Sequence, residues 1–148
     1  MRVDNVLGAK EGRLISIAPE ASVKEALALF VEHNIGSLPV VDASGKLVGI
    51  FTERDVLRLA GESVDLDATY VRDVMTANPV TIAAEGDVVD AARVMSDRRI
   101  RHLPVVEGEN ILGVIGIRDV LGALVERLWR EGDPDARETA RQLLRRGT

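Results

Sequence analysis

A chain of 148 residues with 46% apolar and 29% charged side chains suits one compact domain, or two small halves sharing a core, and its ordinary composition argues against extended disorder. The net charge of −5 and the four aromatic residues, Phe30, Phe51, Tyr70 and Trp129, provide neither the basic footprint of a duplex binder nor a stacking platform for single strands, so nucleic acid is not expected as a partner. With no cysteine and only two histidines, His33 and His102, disulfides and thiolate catalysis are excluded, and no zinc or iron site is expected.

The opening residues lack the apolar stretch of a signal peptide, and no apolar run is long enough to span a bilayer. A cytoplasmic protein without a membrane partner is expected. Residues 14–17 predict a short strand. Ser22, with Glu25 three residues on, reads as a capping box. It opens a helix whose face carries Val23, Ala26, Leu27, Phe30 and Val31. Apolar runs at 38–41 and 47–51 flank a turn at 42–45 and predict buried strands, with Pro39 at a strand start. A helix over 53–60 is stopped by Gly61.

Residues 62–69 read as a linker, and the pattern then recurs. A strand is predicted at 80–82, and a helix follows with Asp87 as N-cap and Val88, Ala91, Ala92 and Met95 on its face. Strands at 103–106 and 111–115 follow, with Pro104 at a strand start, and then a helix from Ile117 to about Trp129. The stripe of Val120, Leu121, Leu124, Val125 and Leu128 is either core or the interface to a second copy. In the tail, Asp133 and Pro134 predict an N-cap and first helical residue, and Ala136, Ala140, Leu143 and Leu144 form a stripe. Arg137, Arg141 and Arg145 line the tail as a solvated face or a docking line for a partner protein.

Residues 15–45 align with 80–110, and 47–57 with 111–121, with 15 identities in 42 positions; unrelated segments would share about three. The expected architecture is α/β (α+β-like): two β-α-β-β-α motifs packed about a pseudo-twofold axis, plus a C-terminal helix. Residues 1–61 form the first motif, 62–69 a linker, 70–130 the second motif and 131–148 the tail.

Within each copy, Ile-x-x-Leu-Pro-Val-Val (residues 35–41 and 100–106) precedes a Gly-apolar-apolar-x-x-x-Asp segment (49–55 and 113–119), and Val71-Arg72-Asp73-Val74-Met75-Thr76 leads into the second copy. This ordered set, occurring twice over about residues 6–128, resembles the CBS (cystathionine-β-synthase) motif family, which works in pairs. The resemblance implies two clefts between the motifs, each taking a ribose-binding Ser/Thr-x-x-Asp from one motif and its base and phosphate contacts from the other. The first set would combine Thr52 and Asp55 with Pro79, Val80, Arg101, His102 and Pro104. The second would combine Asp119 with Leu14, Ile15, Ser37 and Pro39.

The chemistry of these residues suits a nucleotide. An ionised Asp accepts hydrogen bonds without donating, which fits the paired hydroxyls of ribose, and a helix start attracts anions. Arg101 can grip phosphate oxygens with two N–H groups, and His102 can add a donor. The alternatives stand beside these readings: Thr52 as N-cap with Asp55 as a first-turn carboxylate, and Arg98, Arg99 and Arg101 as a solvated basic cluster. The second set is poorer. Gly116 stands where the first copy has Thr52, and Gly36 and Ser37 stand where the second has Arg101 and His102, so one dominant ligand position is expected.

The resemblance implies a regulatory module that requires no cofactor, binds AMP, ADP or ATP, forms a homodimer and signals to an unidentified protein in trans. S-adenosylmethionine or NAD are alternative ligands, and a ligand-independent scaffold is the alternative role. The sequence has no glycine-rich phosphate loop, nucleophile-base set or metal cluster, and no catalysis is expected.

Overall fold

The computed structural model describes residues 1–8, 14–131 and 134–146. Thirteen elements run in the order α1 (Val3–Gly8), α2 (Val23–His33), β1 (Ser37–Val41), β2 (Leu47–Thr52), α3 (Glu53–Gly61), α4 (Val71–Val74), β3 (Thr76–Ala77), β4 (Ile82–Ala83), α5 (Val88–Arg98), β5 (His102–Glu107), β6 (Asn110–Gly116), α6 (Ile117–Glu131) and α7 (Pro134–Arg146). The strands form two three-stranded sheets, β1-β2-β3 and β4-β5-β6, as a mixed α/β repeat requires. The chain divides into two compact units. The first-repeat unit holds 14–80 with 109–111, and the second-repeat unit holds the described residues of 1–8, 81–108 and 112–146.

In the first-repeat unit, Ser22 caps α2 and Glu25 reaches back to the Ser22 N–H at 3.0 Å, completing the box. Val23, Ala26 and Phe30 are buried. Val31, expected on the same face, is instead 82% exposed, because the helix presents only a narrow stripe to the sheet. Phe30 stacks on Phe51 with ring centroids 6.1 Å apart. β1 and β2 pair antiparallel, and β3 joins β2 with Gly49 opposite Ala77. This third strand comes from the lead-in to the second copy. A Cβ at Gly49 would lie 2.9 Å from the Thr76 carbonyl oxygen and would also overlap the Met75 side chain, so only glycine admits the approach. Residues 64–69 lie along the start of α2, where Leu66 and Thr69 accept from the Lys24 and Val23 N–H groups.

The 14–17 segment is reduced to one parallel bridge, Ile17 to Val40. Both prolines lie third in their strands rather than at the starts. Their missing donors remain harmless. The Pro39 carbonyl accepts from Ile17 N–H at 3.1 Å, so its backbone faces the bridge and not the β2 ladder. Pro104 lies two residues before Val106, which faces β4 through Ala84 N–H at 2.9 Å, and the β4 ladder starts only at Val105. Gly61 is the last residue of α3, while the left-handed turn falls on Ser63, at φ 57.

In the second-repeat unit, Asp87 caps α5 through Val89 N–H at 2.8 Å and pairs with Arg127 Nη1 at 3.0 Å. Val88, Ala91, Ala92 and Met95 are all buried, as the periodicity predicts. α5, α6 and α7 pack together. Val120 and Leu124 of the α6 stripe are core, whereas Val125 is 46% exposed. Ala136 and Leu143 of α7 are buried, but Leu144 faces outward. Asp133, the expected cap of α7, lies outside the described residues. α1 packs on α5 and α6.

Candidate functional site

Two equivalent strand-to-helix junctions carry the Ser/Thr-x-x-Asp positions. In the first-repeat unit β2 ends at Thr52, whose extended backbone makes it the N-cap of α3. Asp55 Oδ2 accepts from the Thr52 N–H at 2.9 Å and from its hydroxyl at 3.1 Å, while Asp55 N–H donates to Thr52 Oγ1 at 3.4 Å. The two residues therefore form a reciprocal capping box, more than the simple N-cap that helix chemistry alone predicts. Arg58 Nη2 lies 3.5 Å from Asp55 Oδ1, and the Asp55 side chain is only 14% exposed.

At the second junction Asp119 Oδ2 accepts from Gly116 N–H at 2.7 Å. The backbone geometry is that of the first copy, but the hydroxyl is absent. A Cβ at Gly116 would find Asp119 Oδ2 at 3.5 Å, His102 Cδ2 at 3.8 Å and the Arg101 carbonyl oxygen at 3.9 Å. Each junction is also tied to the residue preceding its edge of the sheet. Glu53 N–H donates to Gly36 O at 3.0 Å, and Ile117 N–H donates to Arg101 O at 2.9 Å.

These bonds gather Gly36, Ser37, Thr52 and Asp55 in one unit, since Ser37 pairs with Thr52, and Arg101, His102, Gly116 and Asp119 in the other. Leu14 and Ile15 lead into the bridge that flanks Pro39, and Ile15 packs against the core. Pro79 and Val80 are half-buried and follow β3 after Asn78, which turns the chain at φ 48 while its N–H donates to Val48 O at 3.2 Å. Pro104 is buried within β5.

Within a unit, then, the structure brings the ribose candidate of one set beside phosphate-end residues of the other. Thr52, Asp55, Pro79 and Val80 belong to the first-repeat unit, and their expected companions Arg101, His102 and Pro104 to the second. Asp119 belongs to the second-repeat unit, and Leu14, Ile15, Ser37 and Pro39 to the first. Sequence reasoning passed over Glu53, whose carboxylate folds toward Gly36; alignment of the copies places it opposite Ile117 and could have flagged the difference. Among the described residues no group of three or more His, Cys, Asp or Glu is placed to hold a metal, and no helix is long and apolar enough to cross a membrane.

A duplicated α/β unit with an Asp-bearing junction in each copy defines the class: a paired-motif module. The CBS domain family model matches residues 11–62 and 71–126, and the chain belongs to the CBS-domain family, with two copies of the motif. A CBS domain protein from Pyrobaculum aerophilum, complexed with AMP, is 25% identical with a TM-score of 0.74, over 80% of this chain and 89% of that one. The CBS domain pair of protein MJ0100, in complex with 5′-methylthioadenosine and S-adenosyl-L-methionine, is 28% identical with a TM-score of 0.73, over 90% and 98%. An inosine-5′-monophosphate dehydrogenase from Methanocaldococcus jannaschii is 36% identical over 109 residues, which is 73% of this chain but 21% of that enzyme. The chain spans between 21% and 66% of the length of three curated relatives it matches.

Proposed function

We propose that the chain is a non-enzymatic regulatory module that binds an adenine nucleotide, AMP, ADP or ATP, and signals to a separate protein. Thr52 and Asp55 hold the ribose, Arg101 and His102 the phosphates, and Pro79, Val80 and Pro104 line the base. The observation that carries this reading is the acceptor geometry at Asp55. Oδ2 is committed to Thr52, which locks the carboxylate in place, while Oδ1 is approached by exposed Arg58 at 3.5 Å and retains acceptor capacity for sugar hydroxyls. Thr52 Oγ1, having donated its proton, can still accept. The AMP complex of the Pyrobaculum relative supports the ligand class.

Asp119 with Leu14, Ile15, Ser37 and Pro39 forms a second, weaker position. Pairing of two chains through α6 is supported by exposed Val125 and Trp129 on that helix. The competing role is a scaffold whose Thr52 and Asp55 serve only α3, and the complete capping box favours it.

Thermal denaturation with AMP, ADP, ATP, S-adenosylmethionine and NAD separates the two roles. A ligand at 100 times its dissociation constant stabilises by about 2.7 kcal/mol, or roughly 5–10 °C for this chain length. The expected result is such a rise with an adenine nucleotide, lost in Asp55→Ala. No rise with any ligand selects the scaffold, and a rise that survives Asp55→Ala places the ribose elsewhere.

A further inference from the structure

α7 carries a charge opposite to that of the whole chain. The sequence has a net charge of −5, yet α7 holds Arg137, Arg141, Arg145 and Arg146 against Asp135 and Glu138. α7 packs on α5 and α6, and its buried side chains are Ala136, Thr139 and Leu143. Arg137, Arg141 and Arg145 are exposed in a row at four-residue spacing. Exposed Leu144 lies three residues beyond Arg141 and seven beyond Arg137, spacings that share one side of a helix, so an apolar side chain sits beside the row. Among the described residues no carboxylate pairs with any of the three arginines. Glu138, next to the row, accepts instead from Gln142 at 3.3 Å. Arg130 of α6, by contrast, pairs with Glu126 one turn away at 2.8 Å. Like charges four residues apart weaken a helix, so the row gains stability only from opposite charge supplied by another molecule.

We propose that this face of α7 docks an acidic helix of a separate protein, with carboxylates four residues apart and an apolar side chain that covers Leu144. The inference rests on the reading of the chain as a module that acts on a separate protein. Four residues span about 6 Å of helix. A partner helix with Glu or Asp at that spacing, laid along α7, therefore meets the three guanidinium groups in register. Each guanidinium is a planar fork that takes a carboxylate in two parallel hydrogen bonds. Two other acidic surfaces fit less well. A helix that lies on a membrane buries its apolar face in lipid, whereas Ala136 and Leu143 of α7 are already buried and the helix packs on α5 and α6. Duplex DNA is repelled by the negative charge of the chain as a whole.

The test uses the full chain and a fluorescein-labelled synthetic helix of about 20 residues, long enough to be helical in water. The probe carries Glu at every fourth position with Leu beside the row, and its control has the same composition with the glutamates scattered. Fluorescence anisotropy should show the probe binding at least about tenfold tighter than the control, with affinity that falls as salt is raised past about 0.15 M. Changing Arg137, Arg141 and Arg145 together to Gln should weaken probe binding by at least about tenfold, and Leu144→Ala by a smaller factor. Gln is nearly as good a helix former as Arg, so α7 persists in the triple variant. Its melting temperature should equal or exceed that of wild type, because the like charges are gone.

Equal binding of probe and control, no binding of either, or probe affinity unchanged in the triple variant overturns the inference. Tighter binding to phosphatidylserine vesicles or to duplex DNA than to the probe also overturns it, and assigns the row to another kind of surface. A triple variant that melts more than about 4 °C below wild type shows that the arginines serve the fold, and it too overturns the inference. None of these outcomes touches nucleotide binding, which is read from the thermal response to AMP, ADP or ATP with α7 unaltered and its loss in Asp55→Ala. Absence of that thermal response, in turn, leaves the peptide measurements on α7 unaffected.

Discussion

Gly116 and Asp119 are joined by a 2.7 Å hydrogen bond from backbone N–H to carboxylate, the same bond that Thr52 makes to Asp55 at 2.9 Å. The second junction therefore keeps the carboxylate clamp and lacks only the hydroxyl. A Cβ at Gly116 lies 3.5 Å from Asp119 Oδ2, an ordinary contact distance, so the backbone leaves room for the Cβ of Gly116→Thr. Exchange of Gly for Thr at an N-cap changes stability by only a few tenths of a kcal/mol, while the restored hydroxyl adds one ligand hydrogen bond of about 1 kcal/mol. Calorimetry should show roughly fivefold tighter binding at the Asp119 position, with a melting temperature near that of wild type.

Phe51 is fully buried and stacked on Phe30. Truncation to Ala removes the ring and leaves a cavity in the first-repeat core. The expected loss is about 3–5 kcal/mol, read as a lower denaturation midpoint in urea at an unchanged slope. Val31→Ala, on the same helix as Phe30 but 82% exposed, should change stability by less than about 0.5 kcal/mol.

Arg99 closes α5 in the left-handed conformation, at φ 55 and ψ 44, matching Asn34 at the end of α2. An Arg pays for that backbone where Asn or Gly does not. Arg99→Gly should raise stability by about 1 kcal/mol, or roughly 2–4 °C in thermal denaturation. Asn34→Gly should do little.

Asp42 Oδ1 accepts from the Ser44 hydroxyl at 2.6 Å and from the Lys46 and Ser44 N–H groups at 3.0 and 2.9 Å. The Ser44 side-chain bond, followed by the Lys46 backbone bond, holds the Asp42 carboxyl below its ordinary value of 3.8. Because the folded state binds this proton less readily than the unfolded state, the turn's contribution is present above the ordinary carboxylate range and is lost as pH falls through the depressed value. Carboxyl NMR titration should place the Asp42 midpoint below 3.8, and Ser44→Ala should move it upward.

Helix caps, paired apolar runs and the duplication were legible because each is written in neighbouring residues. Ser22 with Glu25, and Asp87 before Val88, announce helix starts through bonds that span two or three positions. The aligned copies exposed Thr52 against Gly116 and Gly36 against Arg101 with no structure at all. The same periodicity overstated the core, since it placed Val31 on the apolar face of α2 although that side chain is 82% exposed. A stripe in sequence records which way a side chain points but not how wide its partner is.

The sequence by itself determined the repeat, its strand and helix order, the Asp at each junction and the family to which the chain belongs, because these depend on spacing and local hydrogen bonding. Tertiary structure decided the rest. It made a third strand from Thr76 and Ala77, turned the prolines' missing donors away from their ladders and laid the Glu53 carboxylate toward Gly36. Each of these joins residues through space along directions set by the folded backbone, and residue spacing alone does not encode such directions.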